Sequence, residues 1–262
     1  MRIVRFDCDG QVGYGILEDD WIQVLADFPG EAVALTGERI RTDTVRLLAP
    51  ATPPNVLAIG LNYRQHARET GKELPDHPLL FIKATTAVIG PGDPIVLPVE
   101  HPDEVDYEAE LAMVIGRTAR RVPVDQALAH VLGFTCANDV SARDCQLRLD
   151  GQWARGKSFD TFCPLGPWIE TELDPAKVAV SSHLNGTPMQ HGNTADLIFG
   201  CAELIAHLSQ AMTLLPGTVI LTGTPAGVGV ARKPPVFLRP GDTIAVTVDG
   251  VGTLRNPVVS AL

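Results

Sequence analysis

Two glutamates separated by a single residue are the first feature of this sequence that could do chemistry. They lie in DYEAELAMVIG, where Glu108 and Glu110 are followed at the same parity by Ala112 and Val114. Because side chains alternate between the two faces of a strand, both carboxylates point to one face. The residues of opposite parity are also apolar, which predicts a strand buried on both sides. A solvent-facing polar edge is the alternative for such a pair.

A bound divalent cation would resolve the conflict between two buried neighbouring carboxylates, which cannot both ionise without a positive charge nearby. Oxygen ligands with no adjacent His or Cys favour Mg²⁺, Mn²⁺ or Ca²⁺ over zinc. Asp139 offers a third ligand, because in GFTCANDV it follows an apolar strand whose end can present a carboxylate into a pocket. Taken alone, Asp139 is also a credible N-cap of a following helix.

A histidine and a glutamate form a second candidate pair. In NYRQHARE, His66 and Glu69 are three residues apart, so one helical turn places them on the same face. Glu69 can then orient the imidazole and stabilise its charged form. A surface helix with a chance His–Glu pair is the alternative. The five cysteines and the other histidines show no spacing typical of a metal site or a disulfide framework, and we interpret them as structural or surface residues.

The elements that must position these residues are mostly strands. MRIVRF, VGYGILED and WIQVL predict short strands in a small N-terminal β domain of residues 1–50. The proline-rich LLAPATPPN marks the boundary to a second, catalytic domain of residues 51–262. Strands outnumber helices and do not alternate regularly with them, which predicts a β-rich α+β fold rather than a doubly wound sheet.

Two helices are predicted near the candidate site residues. SARDCQLRL predicts a helix capped by Ser141, with Asp144 three residues on as in a capping box, and this helix would place Arg143 and Gln146 on one face. DLIFGCAELIAHLSQ predicts an amphipathic helix that begins near Thr194.

Composition and charge exclude several classes of protein. The chain has 262 residues, of which 45% are hydrophobic and 20% are charged, as is typical of globular domains. A net charge of −10 and a pI near 5.1 disfavour a nucleic-acid partner, whose phosphates require a basic face. No apolar run is long enough for a membrane span or a signal peptide. We therefore expect a cytoplasmic protein with reduced thiols and no membrane partner.

Five motifs, taken together in their order, resemble the fumarylacetoacetate hydrolase superfamily: NYRQHARE, YEAEL, NDVSARDCQ, GKSFDTFCPLGPW and LTGTPAGVG. The resemblance runs from about Val56 to the C-terminus. It is strongest to the short-chain branch of acylpyruvate hydrolases, oxaloacetate decarboxylases and hydroxymuconate-type isomerases. It implies a mixed β-sandwich roll, usually as a homodimer, with Mg²⁺ or Mn²⁺ bound by Glu108, Glu110 and Asp139.

The same resemblance implies roles for further residues. His66 and Glu69 would activate a water molecule from a segment that closes over the substrate as a lid. Lys157 would lie near the metal, where its charge can neutralise an enolate or carboxylate oxygen. In LTGTPAGVG, glycines let the backbone approach an anion closely. A solvated helix position is the alternative for one member of the implied substrate-binding set, Gln146. That set is Arg143, Gln146, Gly223 and Thr224.

The implied activity is a divalent-metal-dependent hydrolase that cleaves a C–C bond in a carboxylated β-diketone of the acylpyruvate or fumarylpyruvate type through a metal-stabilised enolate. An oxaloacetate decarboxylase or a 2-hydroxyhepta-2,4-diene-1,7-dioate-type isomerase would use the same electron sink, so both alternatives stay open. A ureidoglycolate lyase and a non-catalytic metal-binding module are less favoured. AIGLNYRQH lacks the additional acidic ligand of the longer animal-type enzymes, which favours small α-keto acids over fumarylacetoacetate itself.

Overall fold

The N-terminal part of the chain forms five strands. The computed structural model describes residues 1–30 and 32–261. The three strands predicted here are present, and two more follow them. Asp9 and Gly10 turn between the first two strands with positive φ values of 51° and 85°, as a tight hairpin with right-handed twist requires. The five strands are β1 Arg2–Cys8, β2 Gln11–Glu18, β3 Trp21–Leu25, β4 Leu35–Arg41 and β5 Arg46–Leu48.

Strands also dominate the rest of the chain, which confirms the prediction of a β-rich α+β fold. The strands are β6 Val56–Gly60, β7 Leu79–Lys83, β8 Val88–Ile89, β9 Ile95–Leu97, β10 Val105–Asp106, β11 Ala109–Ile115, β12 Val131–Asn138, β13 Ser141–Ala142, β14 Cys163–Glu170, β15 Ala179–Leu184, β16 Thr187–Asn193, β17 Val219–Leu221, β18 Thr243–Val248 and β19 Gly252–Ser260. The α-helices are α1 Arg64–Glu69, α2 Val124–Ala127, α3 Ala154–Lys157 and α4 Cys201–Ala211, and Cys145–Leu149 form a π-helix.

One large sheet runs through the whole molecule. Its strand order is β4-β3-β2-β1-β14-β12-β11-β17-β6-β7, with β5 beside β1 and β8 beside β14. The N-terminal strands join this sheet where Arg2 and Ile3 of β1 pair with Glu170 and Ile169 of β14. A second sheet has the order β16-β15-β18-β19-β9.

Strand β11 is buried on both faces, as its two apolar parities predict. Ala112 and Val114 belong to one hydrophobic cluster, and Leu111 and Met113 belong to another. Every residue of the strand is buried. The solvent-facing alternative for the Glu-x-Glu pair is therefore wrong, because Glu110 emerges from the interior of the sheet.

The helix expected to begin at Ser141 begins later. Ser141 lies in β13, where it pairs with Asp106 of β10. The π-helix starts at Cys145 and is capped by Asp144, whose Oδ1 accepts the Cys145 backbone N–H at 2.7 Å. The prediction failed because a long-range strand pair took the residues that local capping rules assigned to a helix.

The amphipathic helix α4 also begins later than predicted. The Thr194 hydroxyl accepts the backbone N–H of Val178 at 2.7 Å instead of capping a continuous helix. The helix starts after Gly200, whose N–H donates to Glu203 Oε2 at 2.6 Å. None of the helices in residues 1–30 and 32–261 combines the length and apolar character that crossing a membrane requires.

Candidate metal centre and active site

Three carboxylates converge at one edge of the β11–β12 pair. Glu108 and Glu110 flank the first residue of β11, and Asp139 follows the last residue of β12. Ala109 pairs with Asn138, which brings these strand ends together, and the Asp139 N–H donates to the Glu108 carbonyl oxygen at 2.9 Å. One oxygen of each carboxylate lies within 4.8 Å of the others, and all three residues are buried. Such a set of hard oxygen donors fits Mg²⁺ or Mn²⁺.

Two buried lysines share this cluster. Lys157, at the end of α3, donates from Nζ to Glu108 Oε2 at 2.8 Å and to Asp139 Oδ2 at 2.6 Å. Lys83, at the end of β7, donates to Asp139 Oδ1 at 2.5 Å. Asp139 therefore serves the cluster and is not a helix cap. Lys83 was not among the site residues predicted from the sequence. Its signal is a lysine at the end of the apolar run LLFIK, since a buried ammonium needs a carboxylate partner.

The carboxylates differ in their electrostatic environment. Burial alone would raise the pKa of Glu108, but the charges of Lys157 and Arg143 hold it well below its usual range. Burial raises the pKa of Glu110 well above its usual range, and the Asp139 and Glu108 carboxylates raise it further. Glu110 accepts the Gly223 N–H at 2.6 Å, and no lysine or arginine of the described residues forms an ion pair with it. The cluster thus lacks one positive charge at Glu110, which is where a metal cation fits.

Arg143 connects the cluster to a glycine-rich loop. It forms ion pairs with Asp106 Oδ2 at 2.8 Å and Glu108 Oε1 at 2.7 Å, and its Nη1 donates to Gln146 Oε1 at 2.8 Å. Asp106, which the sequence analysis did not single out, also accepts the Gly229 N–H at 2.8 Å. Arg143 and Gln146 are in contact as expected, and Arg143 lies in the helical turn that runs directly into the π-helix holding Gln146.

The His66–Glu69 pair lies on α1. His66 Nδ1 is 3.2 Å from Glu69 Oε2, and the Gly227 N–H donates to both oxygens of Glu69 at 2.9 and 3.2 Å. An ionised carboxylate can only accept hydrogen bonds, so Nδ1 carries a proton and Nε2 is the ring nitrogen left for chemistry.

The glycine-rich turn after β17 supports the cluster from the opposite side. Gly223 has a φ of +102°, and a Cβ atom added there would lie 2.8 Å from the Asn62 Cβ, so only glycine fits. The Thr224 hydroxyl donates to the Ala109 carbonyl oxygen at 2.9 Å and accepts from Gln190 Nε2 at 2.7 Å. Gln190, which is buried, was also not predicted from the sequence, because it lies about 80 positions from the glutamates.

A cavity of about 320 Å³ opens beside these residues. Of the residues singled out from the sequence, only Gly223 and Asp139 do not line it, and these two contact Glu110 and Lys157, which do. Its other walls are largely apolar. The predicted residues on its lining are His66, Glu69, Glu108, Glu110, Arg143, Gln146, Lys157 and Thr224.

A second group of side chains near the π-helix has a structural character. His101 Nδ1 lies 2.7 Å from Asp144 Oδ2, and Arg155 Nη1 lies 3.1 Å from His101 Nε2. Burial raises the pKa of the neighbouring Cys145 thiol, and Asp144 raises it further. Asp144 also accepts the Cys145 backbone N–H, and the Arg155 guanidinium places a positive charge beside the His101 ring, so we interpret this group as an anchor for the start of the π-helix.

Comparisons with known proteins agree with the motifs. The chain matches the family model described as fumarylacetoacetate (FAA) hydrolase C-terminal over residues 55–259, and the model described as Rv2993c-like, N-terminal over residues 1–50. The mitochondrial oxaloacetate tautomerase FAHD2A of Bos taurus is 48% identical over 220 residues, which are 82% of this chain and 70% of the relative.

Two solved structures share the complete fold. The 5-carboxymethyl-2-hydroxymuconate delta-isomerase from Mycobacterium smegmatis is 44% identical, with a TM-score of 0.91 over 100% of both chains. The 2-hydroxyhepta-2,4-diene-1,7-dioate isomerase from Mycobacterium marinum is 41% identical, with a TM-score of 0.89 over 99% of this chain and 98% of the relative.

The β-rich fold, with a buried carboxylate cluster and a His–Glu pair around one cavity, defines an enzyme of a family that generally depends on divalent metals. The chain belongs to the fumarylacetoacetate hydrolase family. The resemblance inferred from five short motifs is therefore confirmed, and so is the type of fold that it implied.

Proposed function

We propose that this enzyme interconverts the keto and enol forms of a small carboxylated 2-oxo acid, with oxaloacetate as the simplest candidate. The observation that carries the proposal is the cluster of Glu108, Glu110 and Asp139, which lacks one positive charge beside a cavity that His66 and Lys157 also line. Relatives named as an oxaloacetate tautomerase and as isomerases support it, because both reactions move a proton and leave the carbon skeleton intact. The finer assignment as a C–C hydrolase becomes the second candidate.

The carboxylate cluster would hold Mg²⁺ or Mn²⁺. A divalent cation bound there would polarise the 2-keto oxygen of the substrate and so favour loss of a proton from C3. Lys83 and Lys157 contact the two oxygens of Asp139 and offset its charge in the interior.

Lys157 would stabilise the negative charge that develops on the substrate. Burial alone would lower the pKa of Lys157, but Asp139 and Glu108 raise it above its usual range, so the side chain stays an ammonium. It lines the cavity within 2.8 Å of the cluster's oxygens. A fixed cation in a site with little water stabilises an enolate oxygen more strongly than the same group in solvent.

His66 would move the proton. Its Nε2 is available because Nδ1 is bound to Glu69, and the Gly227 N–H fixes Glu69 in turn. In the keto-to-enol direction Nε2 accepts the C3 proton to leave an enolate, whose oxygen takes a proton from solvent to give the enol. In the reverse direction the enol hydroxyl loses its proton to solvent and the protonated ring returns a proton to C3.

The test follows the ultraviolet absorbance of enol-oxaloacetate as it converts to the keto form. We expect acceleration with Mg²⁺ or Mn²⁺, its loss in EDTA, and a reduction of about 10²- to 10⁴-fold in His66→Ala, the usual worth of a general base. His207→Ala, which changes an exposed histidine of α4, is the matched control. If neither metal accelerates the conversion above the uncatalysed rate, the proposal is wrong.

C–C hydrolysis of an acylpyruvate is the second candidate. It is favoured by the His66–Glu69 pair, because a base fixed by a backbone N–H can also activate water. Decarboxylation of oxaloacetate needs the same electron sink but no water. His66→Ala should therefore lower hydrolysis far more than decarboxylation, whereas Asp139→Ala should impair both. If His66→Ala lowers hydrolysis and decarboxylation equally, the histidine acts by closing the lid over any substrate and not as a base.

We also propose that the enzyme is a homodimer and that it works in the cytoplasm. The family resemblance supports the dimer, and the scattered reduced cysteines support the compartment. Light scattering of the purified protein measures its mass in solution, and a value for a single chain would contradict the dimer.

A further inference from the structure

The outer end of the active-site cavity carries an exposed lysine, Lys72, beside a tryptophan, Trp153. We propose that Lys72 and Trp153 form a subsite for a second, distal carboxylate, so that the enzyme prefers 2-oxo dicarboxylic acids longer than oxaloacetate. The inference rests on the proposed function, because it needs the 2-oxo end of the substrate at the carboxylate cluster.

An aromatic wall connects this subsite to the metal centre. The Lys157 ammonium lies 5.0 Å from the centre of the Phe81 ring. Phe81 contacts Trp153 edge to face, with ring centres 5.6 Å apart. The Lys72 ammonium lies 5.7 Å from the centre of the Trp153 ring, and all four side chains line the cavity. The wall is thus cationic at both ends and aromatic between them, which matches a chain with a carboxylate at each end.

The position of Lys72 is set by the end of helix α1. Gly71 has a φ of +65°, its N–H donates to the Arg68 carbonyl oxygen at 3.2 Å, and the Lys72 N–H donates to the Ala67 carbonyl oxygen at 2.9 Å. These two bonds form a Schellman motif, which fixes the direction of the chain after a helix. Lys72 is therefore held by the same short helix that carries His66.

Lys72 is available for a ligand. Among the ion pairs of residues 1–30 and 32–261, none includes it. The contact with Trp153 uses the face of a ring and leaves the ammonium free to donate hydrogen bonds to an anion. On a chain with a net charge of −10, such a cation at a cavity mouth marks a place where an anion is favoured.

The middle of the cavity suits an apolar or conjugated chain. Its wall includes Leu147, Val228, Val230 and Ala231 besides the two aromatic rings. Burying a chain of carbons against these side chains is favourable, and oxaloacetate has too few carbons to use them. The Mycobacterium marinum relative is named for a substrate of this longer class, a heptadienedioate.

A matched pair of acids tests the subsite. 2-Oxoheptanedioate and 2-oxoheptanoate have the same chain length and differ only in the distal carboxylate. Exchange of their C3 protons in D₂O, followed by NMR with Mg²⁺, gives kcat and KM for each acid, and oxaloacetate serves as reference. We expect a KM about five- to tenfold lower for the dioate, as suits one charge-assisted contact at a partly exposed site.

Variants assign this preference to Lys72. Lys72→Met should abolish it through KM, and Lys72→Arg should retain it, while Lys177→Met, at an exposed lysine remote from the cavity, should behave as the unmodified protein. The Schellman motif at Gly71 and Lys72 uses backbone atoms only, so Lys72→Met keeps the hydrogen bonds that set the direction of the chain after α1. Trp153→Leu should raise KM for both long acids relative to oxaloacetate.

Two outcomes overturn the inference in distinguishable ways. If oxaloacetate exchanges its protons but the two long acids have equal KM values, or if the preference survives in Lys72→Met, the subsite is wrong and the proposed function stands. If none of the three acids exchanges above the uncatalysed rate, the proposed function fails and the subsite fails with it.

Discussion

At the scale of single residues, Glu110 carries the largest electrostatic cost of the carboxylate cluster. Burial and two neighbouring carboxylates raise its pKa in the folded state above the ordinary value for glutamate. The folded protein therefore holds this proton more tightly than the unfolded chain does. Without metal, the contribution of Glu110 to stability falls as the pH rises from the ordinary glutamate pKa through the raised one.

A substitution at Glu110 should therefore separate stability from metal binding. Glu110→Gln removes the charge, so in EDTA at pH 8 we expect it to be more stable than the unmodified protein by roughly 0.5–2 kcal/mol, the usual gain from a stabilising substitution. The gain should shrink towards pH 4, and Mg²⁺ should no longer stabilise the variant. Urea unfolding at both pH values, with and without Mg²⁺, measures all three effects. A variant whose pH dependence equals that of the unmodified protein would contradict this view.

At the scale of elements, helix α1 is too short to hold its position by its own helical hydrogen bonds. It has six residues, fewer than an isolated helix needs to persist in water. Its anchors are tertiary hydrogen bonds, such as the Gln65 N–H to Asp196 Oδ2 at 2.9 Å and the Gly227 N–H to Glu69. The lid role predicted from the sequence therefore depends on contacts with other loops.

Ligand binding should protect α1 selectively. With Mg²⁺ and oxalate, a mimic of an enolate, we expect slower amide hydrogen exchange in Arg64–Glu69 than with Mg²⁺ alone, because a ligand in the cavity adds contacts to His66. The amides of α4, Cys201–Ala211, which lies outside the cavity lining, serve as internal control. Equal exchange of α1 in both conditions would rule out a lid.

At the scale of the whole molecule, the N-terminal strands share a sheet with the strands that carry the site. The division into residues 1–50 and 51–262 stays a prediction. The pairing of β1 with β14 joins the two parts in one sheet, which argues against their folding independently. Ile3 is fully buried in the same hydrophobic cluster as Tyr107 and Val140, which adjoin metal-binding candidates.

Removing the N-terminal part should therefore be costly. Residues 51–262 alone would expose the edge of β14, and loss of a buried isoleucine by itself is worth about 2–5 kcal/mol, a large share of ordinary domain stability. We expect circular dichroism of this fragment to show a lower melting temperature than the full chain, or no cooperative transition. A fragment that melts like the full chain would show that the two parts fold independently.

The sequence by itself determined the local features of this protein. Strand periodicity placed Glu108 and Glu110 on one face, apolar residues of both parities predicted burial, and helical spacing paired His66 with Glu69. The five ordered motifs were enough to identify the family. These features depend on residues close together in the chain, so they can be predicted from residue types and their spacing alone.

Only the tertiary structure decided which distant groups meet. Lys83 reaches Asp139 across 56 positions of the chain although β7 lies four strands away from β12 in the sheet, and no local pattern encodes that meeting. A separate pairing, between β13 and β10, drew Ser141 into a strand in place of the predicted helix cap. Capping and periodicity act over a few residues, whereas the charge balance of a buried site depends on every side chain that the sheet brings within reach.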